Sequence, residues 1–454
     1  MNLDAALAAI AGIDGADVDL GERQPAWPDF PISEYRQRYA RLGALMDREG
    51  FDALVLTQEE PVRYLSGYNS VIWAVGRWLP TVLVATRDPR NAALIASSFD
   101  AGCAGGTSWV GTVDTYRVAE EIPGKVREHL SAAGAADDRV GLEFGPGSFM
   151  ALPQHLIGAL IGGGYPPLAG ARTGWPGTGT AAGEPGGADR QRATMRDGGP
   201  RDCGRLLSAL RMLKSPLEIE RIRRSVTAAV AGYQAGLDAA TPGMTEKDLV
   251  AIIGATMYRS GTTAGTKPLF VNCVSGRSRY PLVDSPASDN VIGDGDIVFV
   301  DGGGASDGYV SDILRLIGVG KLRDEDRRYA DAAAGATEAM IGALRPGVRV
   351  SELIGVAAAE VAAAGVTEPV GEIAGHGIGL ELWERPLIRC HENTDDDVAV
   401  RPGMVLCLEP ILAPPHPDGG LAGIFVFEQQ VLVTGTGCEV LSADLPARLR
   451  EVGG

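Results

Sequence analysis

Cysteine, histidine and positive charge are scarce in this chain, and long apolar runs are missing. The six cysteines (Cys103, Cys203, Cys273, Cys390, Cys407 and Cys438) are scattered and include no C-x-x-C pair. That leaves reduced core or surface thiols rather than paired-thiol chemistry. With only 5 histidines, imidazole sites have few candidates. Lys and Arg number 41 against 58 Asp and Glu, a formal net charge of −17. That balance speaks against a nucleic-acid partner, which needs a basic surface. No apolar stretch approaches the roughly 20 residues that cross a bilayer. The first residues, MNLDAALAAIAGIDGADVDL, carry no basic segment and are broken by Asp, so they do not read as a signal peptide. The expectation is a cytoplasmic protein with no membrane partner.

What is present points to two folded domains, because 454 residues are too many for one core. Residues 1–33 read as an acidic, Pro-punctuated N-terminal extension. Residues 34–161 alternate helix and strand signals, as an α/β domain does. SEYRQRYARLGALMDREG reads as a helix capped by Ser33 and ended by Gly50. Strands are expected in FDALVLTQ, TVLVAT, AALIAS and RVGLEF, with a helix in EEIPGKVREHLSAAG. Residues 162–205 are rich in Gly, Pro, Ala and Thr and have almost no large aliphatics. Such a stretch cannot bury enough surface to offset its ordering entropy. It reads as a flexible linker or loop, with an active-site lid as the functional alternative.

Residues 206–454 form the second domain. Ile219, Ile222, Val226, Val230, Tyr233 and Leu237 make one apolar helix face, opened by Ser215, Pro216 and Glu218. TEKDLVAIIGATMYRSG reads as a second helix. Beyond Lys267 the signals are mostly strands, interrupted by helices over about Asp324 to Leu344 and from an N-cap at Ser351.

Five residues of this domain are metal-ligand types in unusual settings. Asp301 and Asp312 lie in VFVDGGGASDGYVSD, around a Gly-rich turn whose length lets a hairpin set the two carboxylates side by side. Like charges that close repel unless a cation lies between them, although both could also cap the turn. His376 lies in GHGIG, where glycines let backbone pack around the imidazole; alone it could be a structural hydrogen-bonding residue. Glu409 follows the apolar run MVLCL, and Glu428 sits inside IFVFEQQVLV. A Glu in such a strand needs a partner, either an Arg or a metal. Four carboxylates carry about −4, which two divalent cations would balance. One shared pair of metals is more economical than five separate explanations. Oxygen-rich ligation with one imidazole suits Mn, Co, Zn or Fe.

With these frames in hand, the chain resembles the creatinase/aminopeptidase P/prolidase family of pita-bread metallohydrolases. SEYRQRYARLGALMDREGFDALVLTQEEPVRYLSGY resembles its N-terminal domain, and LRMLKSPLEIERIRRS the entry to its catalytic domain. The motifs GY-x-SD, GHGIG, PGMV-x-x-x-EP and the late strand Glu follow in order. The resemblance implies an α/β fold with a C-terminal pita-bread catalytic domain behind a creatinase-type N-terminal domain, and a homodimer. It implies two divalent ions, Mn first among the candidates. Asp301 would bind one metal, Asp312 and Glu428 would bridge both, and His376 and Glu409 would complete the set. Glu409 matches the position of the general base, serving a metal-bridging hydroxide that cleaves an amide bond before proline. Tyr309 and Arg315 match positions near the metals, and His391 could reach the substrate.

Two departures stand out. Peptidase members usually carry histidines where this chain has Leu282 and Trp383. Leu cannot donate a hydrogen bond, and Trp offers only an indole N–H of different shape. Val426 and Ile411 also replace the family's usual Arg and Gly. Three readings follow. The first is an Xaa-Pro peptidase working on small peptides without those groups, with Tyr280, Arg279 or His391 in their place. The second is a non-peptidase member acting on a small zwitterion, as creatinase, ectoine hydrolase or dimethylsulfoniopropionate lyase does. The third is a non-catalytic scaffold, which has no need of all five ligands. In the second reading Trp383 would be an aromatic wall for a cationic group.

Overall fold

The computed structural model describes residues 1–76, 78–145, 148–161, 199–263, 265, 267, 269–389 and 397–453. They form two compact units, one of Gly12–Leu207 and one of Met1–Ala11 with Ser208–Gly454. The first helix, Leu3–Ile10, thus belongs to the C-terminal unit, where the Asp4 carboxylate accepts the Ala399 N–H at 3.0 Å and pairs with Arg349 at 3.2 Å.

The Gly12–Leu207 unit is built on strands β1 (Ala53–Leu56), β2 (Val82–Thr86), β3 (Ala93–Ser97), β4 (Thr112–Tyr116), β5 (Val140–Leu142) and β6 (Arg201–Asp202). They make one sheet in the order β4-β3-β2-β1-β5-β6. β1, β2 and β3 are buried along their whole length, as their near-continuous apolar sequences require. The helix expected from Ser33 begins at Ile32, with Pro31 as its N-cap, and ends at Gly50 in the left-handed conformation. Pro31 enters with a fixed φ of −55°, so the chain turns into the helix before Ser33 is reached. Of the stretch expected to be a linker, 162–198 lies outside the described residues. Its end is ordered: Arg201 and Asp202 add an edge strand to β5, and a helix runs over Gly204–Met212.

The C-terminal unit carries β7 (Phe270–Ser275), β8 (Ile297–Gly303), β9 (Ala305–Ser306), β10 (Tyr309–Val310), β11 (Ile313–Val319), β12 (Ile373–Gly377), β13 (Glu384–Arg389), β14 (Val405–Leu408), β15 (Gln429–Val433), β16 (Cys438–Val440) and β17 (Arg450–Val452). One sheet has the order β17-β11-β8-β7, another β13-β12-β14-β15-β16, and β9 pairs with β10. Helices Pro216–Ala239 and Glu246–Arg259 pack on each other, and the latter packs on β7. Helices Asp324–Ala343 and Val350–Ala363 pack on each other, and the latter packs on β13. Ser215 caps its helix as expected, its side chain accepting the Glu218 N–H while Glu218 accepts the Ser215 N–H. The helix expected from an N-cap at Ser351 begins two positions earlier, at Val350, with Arg349 as N-cap. The Asp397 carboxylate reaches this end and accepts the Ser351 N–H at 3.1 Å. Asp397 therefore helps to cap this helix, while Asp395 and Asp396 lie outside the described residues.

Candidate metal centre

Strand ends from both sheets of the C-terminal unit supply the five residues. Asp301 lies on β8, opposite Leu314 of β11 and Asn272 of β7. Asp312 directly precedes β11, so the hairpin brings back the second carboxylate as its spacing suggested. Tyr233, on the helix Pro216–Ala239, donates its hydroxyl to the Gly302 carbonyl at 3.1 Å and also lies against the Ile313 carbonyl. One buried phenol thereby ties together the backbone beside both aspartates. Carboxylate oxygens of Asp301, Asp312 and Glu428 lie within 4.8 Å of one another.

His376 sits in β12 between β13 and β14. Gly375 before it has φ +155°, and a Cβ there would collide with the Cys407 carbonyl of β14. Glycine is required at this close approach. The His376 Nδ1 lies 2.9 Å from the Gly377 carbonyl. That contact calls for an N–H on Nδ1 and leaves Nε2 with its lone pair. Nε2 faces Glu409 at 3.4 Å, Asp312 at 3.8 Å and Glu428 at 3.9 Å. Glu409 directly follows β14, its N–H donated to the Ala374 carbonyl at 2.9 Å, and Pro410 stops the strand there. The N–H of Glu428 reaches across to the Leu314 carbonyl at 3.3 Å.

These groups sit in poor solvent for charge. Burial is the first cause in every case; it pushes the Asp301 carboxyl up to about 7 and Glu409 to about 8. It also lifts Asp312 and Glu428 well above the carboxylate range, with the neighbouring acids adding to the effect. Burial lowers His376 to about 4, so the imidazole is neutral. One oxygen each of Asp312 and Glu409 and both oxygens of Glu428 are sealed from solvent with no hydrogen-bond partner among the described residues. Four orphaned acceptors and one imidazole lone pair converging on one space fit divalent cations.

Trp383 stacks on His376 with ring centroids 4.9 Å apart and planes 16° apart, while staying 46% exposed. Leu282 is 49% exposed, at the end of a short 3-10 helix. Tyr309 is buried, and its hydroxyl donates to Glu218 at 2.9 Å. Arg315 is also buried. Its guanidinium donates to the Glu428 carbonyl at 2.6 Å, the Leu314 carbonyl at 2.7 Å and the Gln429 side chain at 3.1 Å, so it braces the strand that presents Glu428. Tyr280 spends its hydroxyl on the Ile297 backbone, and Arg279 pairs with Glu246 at 3.0 Å, so both are engaged in structure. His391 lies outside the described residues.

Two neighbours went unnoticed in the sequence. Cys407 places its sulfur within 4.8 Å of ligand atoms of His376 and Glu428. Its signal was the spacing of two from Glu409 along one strand, which puts both on one face. Burial raises its thiol well above the ordinary range, so it stays protonated. Asp284 is the second, an exposed carboxylate whose charge helps raise Asp301.

Residues 220–435 match metallopeptidase family M24, and residues 38–161 match the creatinase/prolidase N-terminal domain. An Xaa-Pro dipeptidase of Pyrococcus furiosus is 30% identical over 237 residues, which are 52% of this chain and 65% of the relative. The chain thus spans slightly less than two thirds of that relative's length. An uncharacterized hydrolase/peptidase of Sinorhizobium fredii is 24% identical over 91% of this chain and 95% of its own. Among solved structures, an Xaa-Pro dipeptidase from Bacillus anthracis superposes with a TM-score of 0.71 at 21% identity, covering 92% of this chain and all of the other. A dipeptidase from Mycobacterium ulcerans does so with a TM-score of 0.71 at 23% identity, covering 93% of this chain and all of the other. These two likenesses show the fold, the two-domain α/β architecture with its pita-bread C-terminal part. The chain belongs to the M24 family of creatinase, prolidase and aminopeptidase P metallopeptidases.

Proposed function

We propose that this chain is a metal-dependent hydrolase of the Xaa-Pro dipeptidase kind, cleaving an amide bond of a small peptide. One observation carries the reading: four partnerless, buried carboxylate oxygens converge with the lone pair of a neutral His376. Asp301, Asp312, His376, Glu409 and Glu428 would hold two divalent ions. Mn is the first candidate, followed by Co, Zn and Fe. Such ions supply a hydroxide nucleophile at neutral pH and polarise the scissile carbonyl. Glu409 is partly open to solvent and can take a proton on the nucleophile side and return it to the leaving nitrogen. Arg315 fixes the Glu428 backbone, and Tyr233 fixes the pair of aspartates. The resemblance extends the proposal to a cytoplasmic homodimer.

A second reading, a non-peptidase member acting on a small zwitterion, is supported by Trp383 and Leu282 at the usual histidine positions. One assay separates the two. The Mn-loaded full chain is incubated with Xaa-Pro di- and tripeptides, creatine, ectoine and dimethylsulfoniopropionate, and the products are followed by mass spectrometry with Asp312→Ala as blank. Metal-dependent release of an amino acid from the peptides is the expected result. Intact peptides with turnover of a small metabolite would replace the first reading by the second. No turnover of anything by a fully metal-loaded protein would contradict both.

A further inference from the structure

We propose that the Cys407 sulfur is a metal ligand, and that it makes one position of this centre selective for a thiophilic divalent ion, zinc or cobalt, over manganese. The inference rests on the cluster being a metal centre; it names the donor set of one position and the ion which that set selects.

Sheet register brings the sulfur to the site. Cys407 on β14 is the direct partner of His376 on β12, so the two side chains stand on one face of the sheet. On its other side Cys407 faces Gln430 of β15, and Glu428 precedes Gln430 by two, which returns it to that same face. Three neighbouring backbone segments thus each contribute one donor: an imidazole nitrogen, a sulfur and a carboxylate oxygen. Ligand atoms of His376, Cys407 and Glu428 lie within 4.8 Å of one another. Nitrogen and sulfur ligands of a single zinc ion sit about 2.0–2.3 Å from it, and so up to about 4.4 Å apart. A small side-chain rotation suffices to bring all three onto one ion. The Cys407 sulfur also lies 4.0 Å from the carbonyl of Asp312, the backbone of another ligand residue. A second feature of the same space calls for a cation. The Glu428 side chain is 1% exposed, and both its oxygens are sealed from solvent with no hydrogen-bond partner among the described residues.

Asp301, Asp312 and Glu428 form another triad within 4.8 Å, and Glu428 is common to both. The donors of this other triad are all oxygen, so the two positions differ in hardness. Carboxylate oxygens suit manganese, whereas sulfur with imidazole suits zinc; manganese stands lowest in affinity among the first-row divalent ions. Manganese in excess fills both positions, but zinc or cobalt displaces it from the one that Cys407 lines. Coordination is an exchange: the metal–sulfur bond forms as the S–H bond breaks, and the proton passes to water.

The test loads the full chain with cobalt and reads its near-ultraviolet absorption. A sulfur-to-cobalt charge-transfer band is expected in the wild type, and it should be lost in Cys407→Ser. Any band from the other cysteines persists in that variant, so the difference spectrum belongs to Cys407. In parallel, zinc and manganese compete for the chain, and the bound ions are counted by inductively coupled plasma mass spectrometry. Cys407→Ser should lower the zinc-to-manganese preference at least about tenfold, since a group merely hydrogen-bonded to a ligand is worth that much. Cys407→Thr is carried alongside in case the serine chain does not fold, with circular dichroism as the check. Cobalt bound without a sulfur band in the wild type would overturn the inference. So would a band and a preference unchanged in the folded variants. Either result leaves the hydrolase reading standing, whereas a sulfur band without peptide cleavage supports the ligand and contradicts that reading. A chain that binds no ion would overturn both.

Discussion

His376 and Arg315 show how single side chains prepare this centre. His376 is neutral because it is buried, and its Nδ1–H is spent on the Gly377 carbonyl, which aims the Nε2 lone pair at three carboxylates. Arg315, matched in the sequence to a position near the metals, spends its donors on backbone and on Gln429. Burial lowers its guanidinium to about 10. Arg315→Met should therefore leave the Glu428 and Leu314 carbonyls short of a partner and cost about 1–3 kcal/mol of stability. Because it orients a ligand from behind, the same change should weaken metal binding about 10- to 100-fold. Urea denaturation and competitive chelator titration measure the two effects. The ligand types were legible in the sequence because a carboxylate inside an apolar strand demands an explanation. Arg315's role was not, because a guanidinium bonded to backbone carbonyls leaves no pattern in side-chain types.

At the level of elements, the site depends on how closely β12 approaches β14. Gly375 permits that approach, with φ +155° and no room for a Cβ against Cys407. Gly375→Ala should force the strands apart or shift the β12 register, costing about 1–3 kcal/mol or more. Since His376 would move with the strand, metal content should fall alongside the urea midpoint, and parallel measurements of both check this. Strand identity and order of motifs were readable from β-branched, apolar runs such as FDALVLTQ and TVLVAT. Helix starts were less so. At Ile32 a fixed proline φ began the turn early, and at Val350 the cap came from Asp397, 47 positions from Ser351's neighbour Val350 and invisible to local pattern. The short edge strand Arg201–Asp202 was hidden by its polar composition, because its pairing with β5 is a tertiary decision.

For the whole molecule, pH, metal and stability are coupled. In metal-free protein the Asp301 and Glu409 carboxyls titrate near 7 and 8, above their unfolded values of about 4, and Asp312 and Glu428 are raised in the same sense. Over that window the folded state holds more protons than the unfolded, so stability falls as pH rises. His376, lowered to about 4, acts oppositely: it adds stability as pH climbs from 4 to about 6.5, and no further above that. Between pH 6.5 and 8 only the carboxylates remain, and the melting temperature of chelated protein should drop. Metal-loaded protein should show a smaller drop, because cations take the place of the protons at this site, while Glu143, raised to about 7 by burial in the Gly12–Leu207 unit, still titrates. Scanning calorimetry at pH 6.5, 7.2 and 8 with and without chelator measures the difference.

The proposed two-metal centre draws five side chains from two sheets. Its most direct test is the metal content of the full chain, by inductively coupled plasma mass spectrometry after saturation with Mn and removal of free ion. Two ions per chain are expected in the wild type, with the count reduced in Asp312→Ala. At most one ion per chain at saturation, or an undiminished count in Asp312→Ala, would contradict it.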